Sequence, residues 1–153
     1  MKFSRFSLSI NRNKSVYILT SVLEPPFLML KSPGQQTLYG NNRFEGFTKD
    51  LAELLAQELG INFQIQPVKD GQYGLSDPSV PGGWTGMIGE LVRGEADLAI
   101  SPLTINAQRE QVVDFSVPFM QAGMFGQKGR YTVVEFIREG VTKLFHKIWK
   151  AVK

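Results

Sequence analysis

Between Val16 and Ser101 the apolar residues change period from strand to helix and back twice, and this alternation constrains the fold more than any other feature of the chain. Val16 to Leu23 (VYILTSVL) reads as a strand that ends at Glu24-Pro25-Pro26, with FLML as a second extended piece before a loop rich in Gly, Gln and Asn at 32–42. Phe47 to Gly60 reads as a helix: Thr48 can cap it, Asp50 suits its first turn, Leu51, Leu54, Leu55 and Leu59 form one apolar stripe, and Gly60 stops it. Ile61, Phe63 and Ile65 alternate as a strand, and a Gly/Pro-rich loop from Asp70 to Gly83 leads to a second helix carrying Met87, Ile88, Leu91 and Val92, ended near Gly94. A third strand runs from Asp97 to Ser101 and stops at Pro102, and Val112 to Met120 is expected to add one more. Strand, helix, strand, helix, strand is the order of an α/β fold with a parallel sheet flanked by helices.

In such sheets ligands bind beyond the carboxyl ends of the strands, where Tyr73, Pro102 and Arg109 fall. The stretch PLTINAQRE, 102–110, is the most pointed of these. Pro102 has no N–H to extend a ladder but keeps a carbonyl, Asn106 can cap a short helix, and Arg109 would stand in its first turn, where unpaired N–H groups already favour an anion. A bidentate guanidinium contact to a carboxylate adds roughly 1.5–3 kcal/mol, enough to orient a small ligand. Taken alone, Arg109 reads first as a solvated helix residue pairing with Glu110 or Asp114, Tyr73 can be an exposed loop tyrosine, and Glu24 reads first as a strand-end charge.

At 153 residues with 42% hydrophobic and 20% charged residues, the chain has the length and balance of one ordinary globular domain. The net charge of +3 hides an uneven distribution. Residues 15–127 hold six Lys/Arg against twelve Asp/Glu, a net of −6, whereas 128–153 hold seven against two, a net of +5. Positive charge confined to the ends describes no nucleic-acid face, so no nucleic-acid partner is expected. The absence of cysteine does not decide the compartment. Residues 1–14 form a basic extension without the apolar run of a secretory leader, and no stretch has the 18 or so apolar residues of a membrane span. His146 is the single histidine and stands among lysines, so neither a metal site nor a cofactor is expected. With no cysteine nucleophile and no carboxylate pair placed beside a base, no enzyme is expected; Glu90 and Asp97 are assigned to the helix surface and the strand edge.

SVYILTSVLEPPFLMLK from Ser15, NNRFEGF at 41–47, DGQYG at 70–74, WTGMIGEL at 84–91 and PLTINAQRE together resemble the agonist-binding domain of ionotropic glutamate receptors, in the flavour of the AMPA and kainate branches. The resemblance covers 15–123. It implies the upper lobe of a periplasmic-binding-protein-like clamshell, with an amino-acid agonist such as L-glutamate as ligand, other receptor subunits as partners, and the extracellular side of the plasma membrane as its place. By the same resemblance Arg109 grips the agonist's α-carboxylate together with the Thr104 N–H. The Pro102 carbonyl and Thr104 hydroxyl accept from the α-ammonium, Tyr73 covers the ligand, and Glu24 is a candidate contact to the opposite lobe. Phe44, Phe47 and Trp84 are expected to be structural.

After Met120 the sequence departs from the family pattern, and residues 124–153 form a divergent basic tail in which the second lobe and the pore are expected to be largely missing. Gly140 to Lys153 places Val141, Leu144, Phe145, Ile148, Trp149 and Val152 on one helical face with lysines opposite. Such an amphipathic helix covers apolar surface of the lobe or lies on an anionic membrane or a partner. A micromolar site is about −8 kcal/mol, and losing the partners of a second lobe forfeits several, so millimolar or weaker amino-acid binding is expected of the 153-residue chain. Two other readings share the residues: a bacterial-type amino-acid solute-binding protein, and a soluble truncated receptor regulator docking to membrane or receptor subunits through its tail.

Overall fold

The computed structural model describes residues 14–32, 34, 37–116 and 131–133. The order of elements is β1 (Tyr17–Ser21), β2 (Met29–Leu30), β3 (Phe44–Glu45), α1 (Phe47–Leu59), β4 (Phe63–Pro67), α2 (Gly86–Val92), β5 (Leu98–Ala99), β6 (Pro102–Thr104) and β7 (Tyr131–Val133). The main sheet is parallel, with strand order β4-β1-β5. Tyr17 pairs with Phe63 and Ser21 with Pro67 on one side of β1, and Leu19 and Thr20 pair with Leu98 and Ala99 on the other. The α/β parallel-sheet expectation therefore holds at this level.

Apolar clusters lie against both faces of the sheet. Leu19, Leu28, Phe44, Ala52, Leu55, Ile65 and Ile100 pack with α1. Val22, Val68, Trp84, Met87, Ile88, Ala99 and Leu103 pack with α2, half-buried Tyr73 and Phe115 beside them. Trp84 is thus structural, as expected, and Phe44 lies in the core. Phe47, 37% exposed, meets Phe27 edge to face instead of entering the core.

Several local expectations are corrected. Thr48 does not cap α1: the cap is Gly46, at φ 112°, and the first N–H groups donate to the Pro26 and Phe27 carbonyls at 3.2 and 2.8 Å. A side chain at residue 46 would stand 2.5 Å from the Phe27 carbonyl oxygen, so only glycine lets that loop close over the helix start. Thr48, freed from capping, is buried in the first turn and donates to the Ile100 carbonyl at 3.3 Å. Leu54 is 54% exposed, and the inward face is Thr48, Ala52 and Leu55. Gly60 does end the helix, in the left-handed conformation.

The third strand ends at Ala99 rather than Ser101, and Pro102 begins β6 instead of terminating a strand. The Leu103 N–H donates to the Ser101 carbonyl at 2.7 Å, a three-residue turn centred on Pro102, whose fixed φ suits it and whose ring tolerates the first position of a strand. β6 then pairs antiparallel with β7, Thr104 opposite Tyr131, so three residues of the 124–153 segment lie against the lobe. Val112 to Phe115 is not a strand; the Val112 and Val113 N–H groups turn back to the Arg109 carbonyl at 3.0 and 3.1 Å. The amphipathic helix expected at 140–153 and His146 lie outside the described residues.

Candidate functional site

The sheet order places the first strand in the middle, with the second and third strands on opposite sides of it. The chain therefore reverses its direction of travel across the sheet between β1 and β5, the topology that in open α/β sheets leaves a ligand crevice at the carboxyl ends of those strands. Three segments leave the sheet there: Val22 to Glu24 after β1, Val68 to Gly74 after β4, and Ile100 to Arg109 after β5.

Arg109 opens a single 3-10 turn, Arg109–Gln111, not an α-helix. Asn106 acts as expected in kind, its side-chain oxygen accepting the Arg109 N–H at 2.9 Å and its carbonyl the Glu110 N–H at 3.0 Å. One short turn contributes little macrodipole, so the positive charge of the site is that of the guanidinium itself.

That guanidinium is buried, the residue being only 8% exposed. Its Nε and Nη2 both donate to the Gly74 carbonyl, at 3.3 and 2.8 Å, and its Nη1 donates to the Thr104 carbonyl at 2.8 Å. These bonds engage one N–H on each nitrogen. Among the described residues this leaves two of the five N–H donors without an acceptor, one on each terminal nitrogen, the number that a bidentate carboxylate takes up. No carboxylate among the described residues pairs with it. Burial lowers its pKa from the ordinary arginine value, the direction expected for a cation removed from water without an anion beside it.

Tyr73 immediately precedes Gly74, and its hydroxyl donates to the Glu24 carboxylate. A continuous path of contacts therefore runs Glu24, Tyr73, Gly74, Arg109, Thr104 across the crevice. Pro102 lies two residues before Thr104 on β6, so the two carbonyls face the same edge of that short strand. Ser101, at the corner between β5 and β6, is fully buried with a hydroxyl that has no hydrogen-bond partner among the described residues.

Sequence reasoning missed the two carbonyls that orient Arg109. The glycine in DGQYG was the available signal: Gly74 has φ 130°, and a side chain there would stand 2.5 Å from Ile88, so this position brings a bare backbone against α2. It also misplaced Glu90. This residue is buried, not on the helix surface, and its carboxylate accepts from Thr20 and from the Lys69 N–H. Asp97 is at the strand edge as expected, accepting the Ile18 N–H at 2.7 Å and pairing with Lys14. Among the described residues no cluster of His, Cys, Asp and Glu could hold a metal, and no helix is long and apolar enough to cross a membrane.

The chain is thus a parallel α/β lobe whose switch point carries a buried arginine braced by two carbonyls and, among the described residues, paired with no carboxylate. The family described as the ligated ion channel L-glutamate- and glycine-binding site matches residues 15–125, and the chain belongs to this family. It is 50% identical over 107 residues to "Glutamate receptor ionotropic, kainate 4" of Rattus norvegicus and of Homo sapiens, a match covering 70% of this chain and 11% of each of those proteins. It is 40% identical over 149 residues to "Glutamate receptor 3" of Rattus norvegicus, covering 94% of this chain and 16% of that protein. A match over 94% of the chain takes in part of the tail as well as the lobe. The chain spans between 11% and 16% of the length of these relatives. Both are receptors by name, which favours the receptor reading over the bacterial uptake protein.

Proposed function

We propose that residues 15–123 form an amino-acid-binding lobe of a ligand-gated cation channel, with L-glutamate or a related α-amino acid as its ligand. The observation that carries this is the buried Arg109 guanidinium, held by two neutral carbonyls and left, among the described residues, with one N–H on each terminal nitrogen unspent. A buried cation without an anion is costly, and a carboxylate arriving there relieves that cost while forming two charge-assisted bonds. The Pro102 carbonyl and the Thr104 hydroxyl and N–H supply the acceptor and donor beside it, so that a molecule with both an ammonium and a carboxylate on one carbon is selected. Tyr73 forms the lid of the pocket. Glu24, which braces Tyr73, is also the residue from which this lobe reaches an opposing one. In the intact receptor this lobe faces the extracellular side of the plasma membrane and works with other subunits, and ligand-driven closure against a second lobe opens the pore.

The test is a titration of the 153-residue chain with L-glutamate, followed by calorimetry or by NMR, in parallel with Arg109→Lys. The lysine variant keeps the charge but loses the planar fork. Binding in the millimolar range by the wild type, weakened at least about tenfold in the variant, is expected. Equal affinity in the two proteins contradicts the proposal.

A further inference from the structure

Glu90 is a carboxylate on α2 that is only 5% exposed, yet both of its described hydrogen-bond donors are neutral. The Thr20 hydroxyl donates to one oxygen at 2.6 Å and the Lys69 backbone N–H to the other at 3.1 Å. The Lys69 ammonium turns away to Glu95, at 2.6 Å. A buried carboxylate satisfied in this way gives less stability than an apolar side chain of the same size, so packing alone does not account for it.

Its two donors lie at telling places. Thr20 is on the central strand, opposite both Gln66 of β4 and Ala99 of β5. Lys69 is where the chain has left β4 and starts toward Tyr73. From that root the loop is laid onto the first turn of α2. Asp70 accepts the Gly86 N–H at 2.8 Å and the Gln72 N–H at 2.9 Å, the Gln72 carbonyl accepts the Met87 N–H at 3.1 Å, and the Tyr73 carbonyl accepts the Ile88 N–H at 3.3 Å. The next carbonyl, that of Gly74, is the one that holds Arg109 by two of its nitrogens. The close approach leaves no slack, since a side chain at residue 86 would stand 2.4 Å from the Gln72 carbonyl oxygen.

We propose that Glu90 is a positioning residue of the amino-acid site: by tying Thr20 to the root of the 69–74 loop it fixes where the Gly74 carbonyl meets Arg109. The inference rests on the reading of Arg109 as the ligand's carboxylate clamp. Glu90 acts through the loop and does not touch the ligand.

The arginine side-chain Nε–H of residue 109 reports on this contact directly and without ligand. In protein labelled with 15N-arginine its resonance is identified by its loss in Arg109→Lys. In Glu90→Gln one acceptor oxygen becomes a donor facing Thr20 or Lys69, and the Arg109 resonance is expected to shift, with hydrogen exchange about tenfold faster, the loss of about one hydrogen bond. Thr20→Val, which removes one donor at nearly constant volume, is expected to move the same resonance in the same direction, and Thr20→Ser to restore it. Thr20→Val also decides the question if Glu90→Gln does not fold. An Arg109 signal and exchange rate unchanged in the folded variants, with only the thermal midpoint lowered, overturns the proposal and leaves Glu90 a structural residue. The response of the wild-type signal to added L-glutamate is a separate readout: its absence counts against the clamp reading, whereas the ligand-free comparison judges Glu90.

Discussion

Gly74 answers two demands at one position: its φ of 130° turns the loop, and its bare α-carbon lets the loop lie against Ile88 so that its carbonyl reaches Arg109. Gly74→Ala meets both obstacles, strain at positive φ and overlap with Ile88, and is expected to lower stability by about 2–5 kcal/mol in chemical denaturation. Gly71, in the same loop at φ 69°, has open space around an added side chain, so Gly71→Ala is expected to cost only roughly 1–2 kcal/mol. Equal losses at the two positions would count against the close docking of the loop on α2. At this scale the sequence made Arg109 and Tyr73 candidates, because a polar or aromatic side chain beside a strand end is visible as a residue type. The Gly74 and Thr104 carbonyls were not visible, since every residue has a carbonyl and only tertiary packing decides which ones converge. Glu90 was misassigned for a related reason: a glutamate in a helix reads as solvent-facing until the sheet beneath it supplies donors.

At the scale of elements, α1 and α2 were legible in position and extent because their apolar spacing is helical and glycines follow them. The face of α1 was less so. Four leucines suggested a stripe, but the inward-facing residues include Thr48 and Ala52, small or polar side chains that fit where the helix lies close to the sheet. Leu55→Ala is therefore expected to cost about 2–5 kcal/mol and Leu54→Ala less than about 0.5, a contrast that denaturation of the two variants measures. The break between β5 and β6 was hidden because it depends on the Pro102 turn and on the Ile100 carbonyl, which Ser21 and Thr48 hydroxyls take over from the ladder. At the far end of α2, Arg93 first and then Lys69 hold the Glu95 carboxyl below its ordinary pKa of 4.5. A carboxyl lowered on folding stabilises the protein above its unfolded pKa and loses that contribution as pH falls through the folded value. Glu95→Gln is thus expected to lower the thermal midpoint slightly at neutral pH, with the gap to the wild type closing as the solution is acidified; a gap that widens in acid would contradict this assignment.

For the whole molecule, the order β4-β1-β5 matters more than any single contact, because it turns three chain exits toward one crevice. The strand-helix alternation made the parallel sheet foreseeable, and the motif DGQYG with PLTINAQRE made the family foreseeable, as the match over residues 15–125 bears out. The pairing of β6 with Tyr131–Val133 was not foreseeable, since a three-residue strand carries almost no periodicity of its own. The relatives are six to nine times longer than the part matched here, so of the proposed function the carboxylate clamp at Arg109 is the part that this lobe can test by itself. The most direct measurement of that clamp compares binding of L-glutamate with binding of γ-aminobutyrate, the same molecule without its α-carboxylate. At least about tenfold weaker binding of γ-aminobutyrate, with the difference abolished in Arg109→Lys, is the predicted result; equal affinity of the wild-type chain for the two compounds would contradict the account.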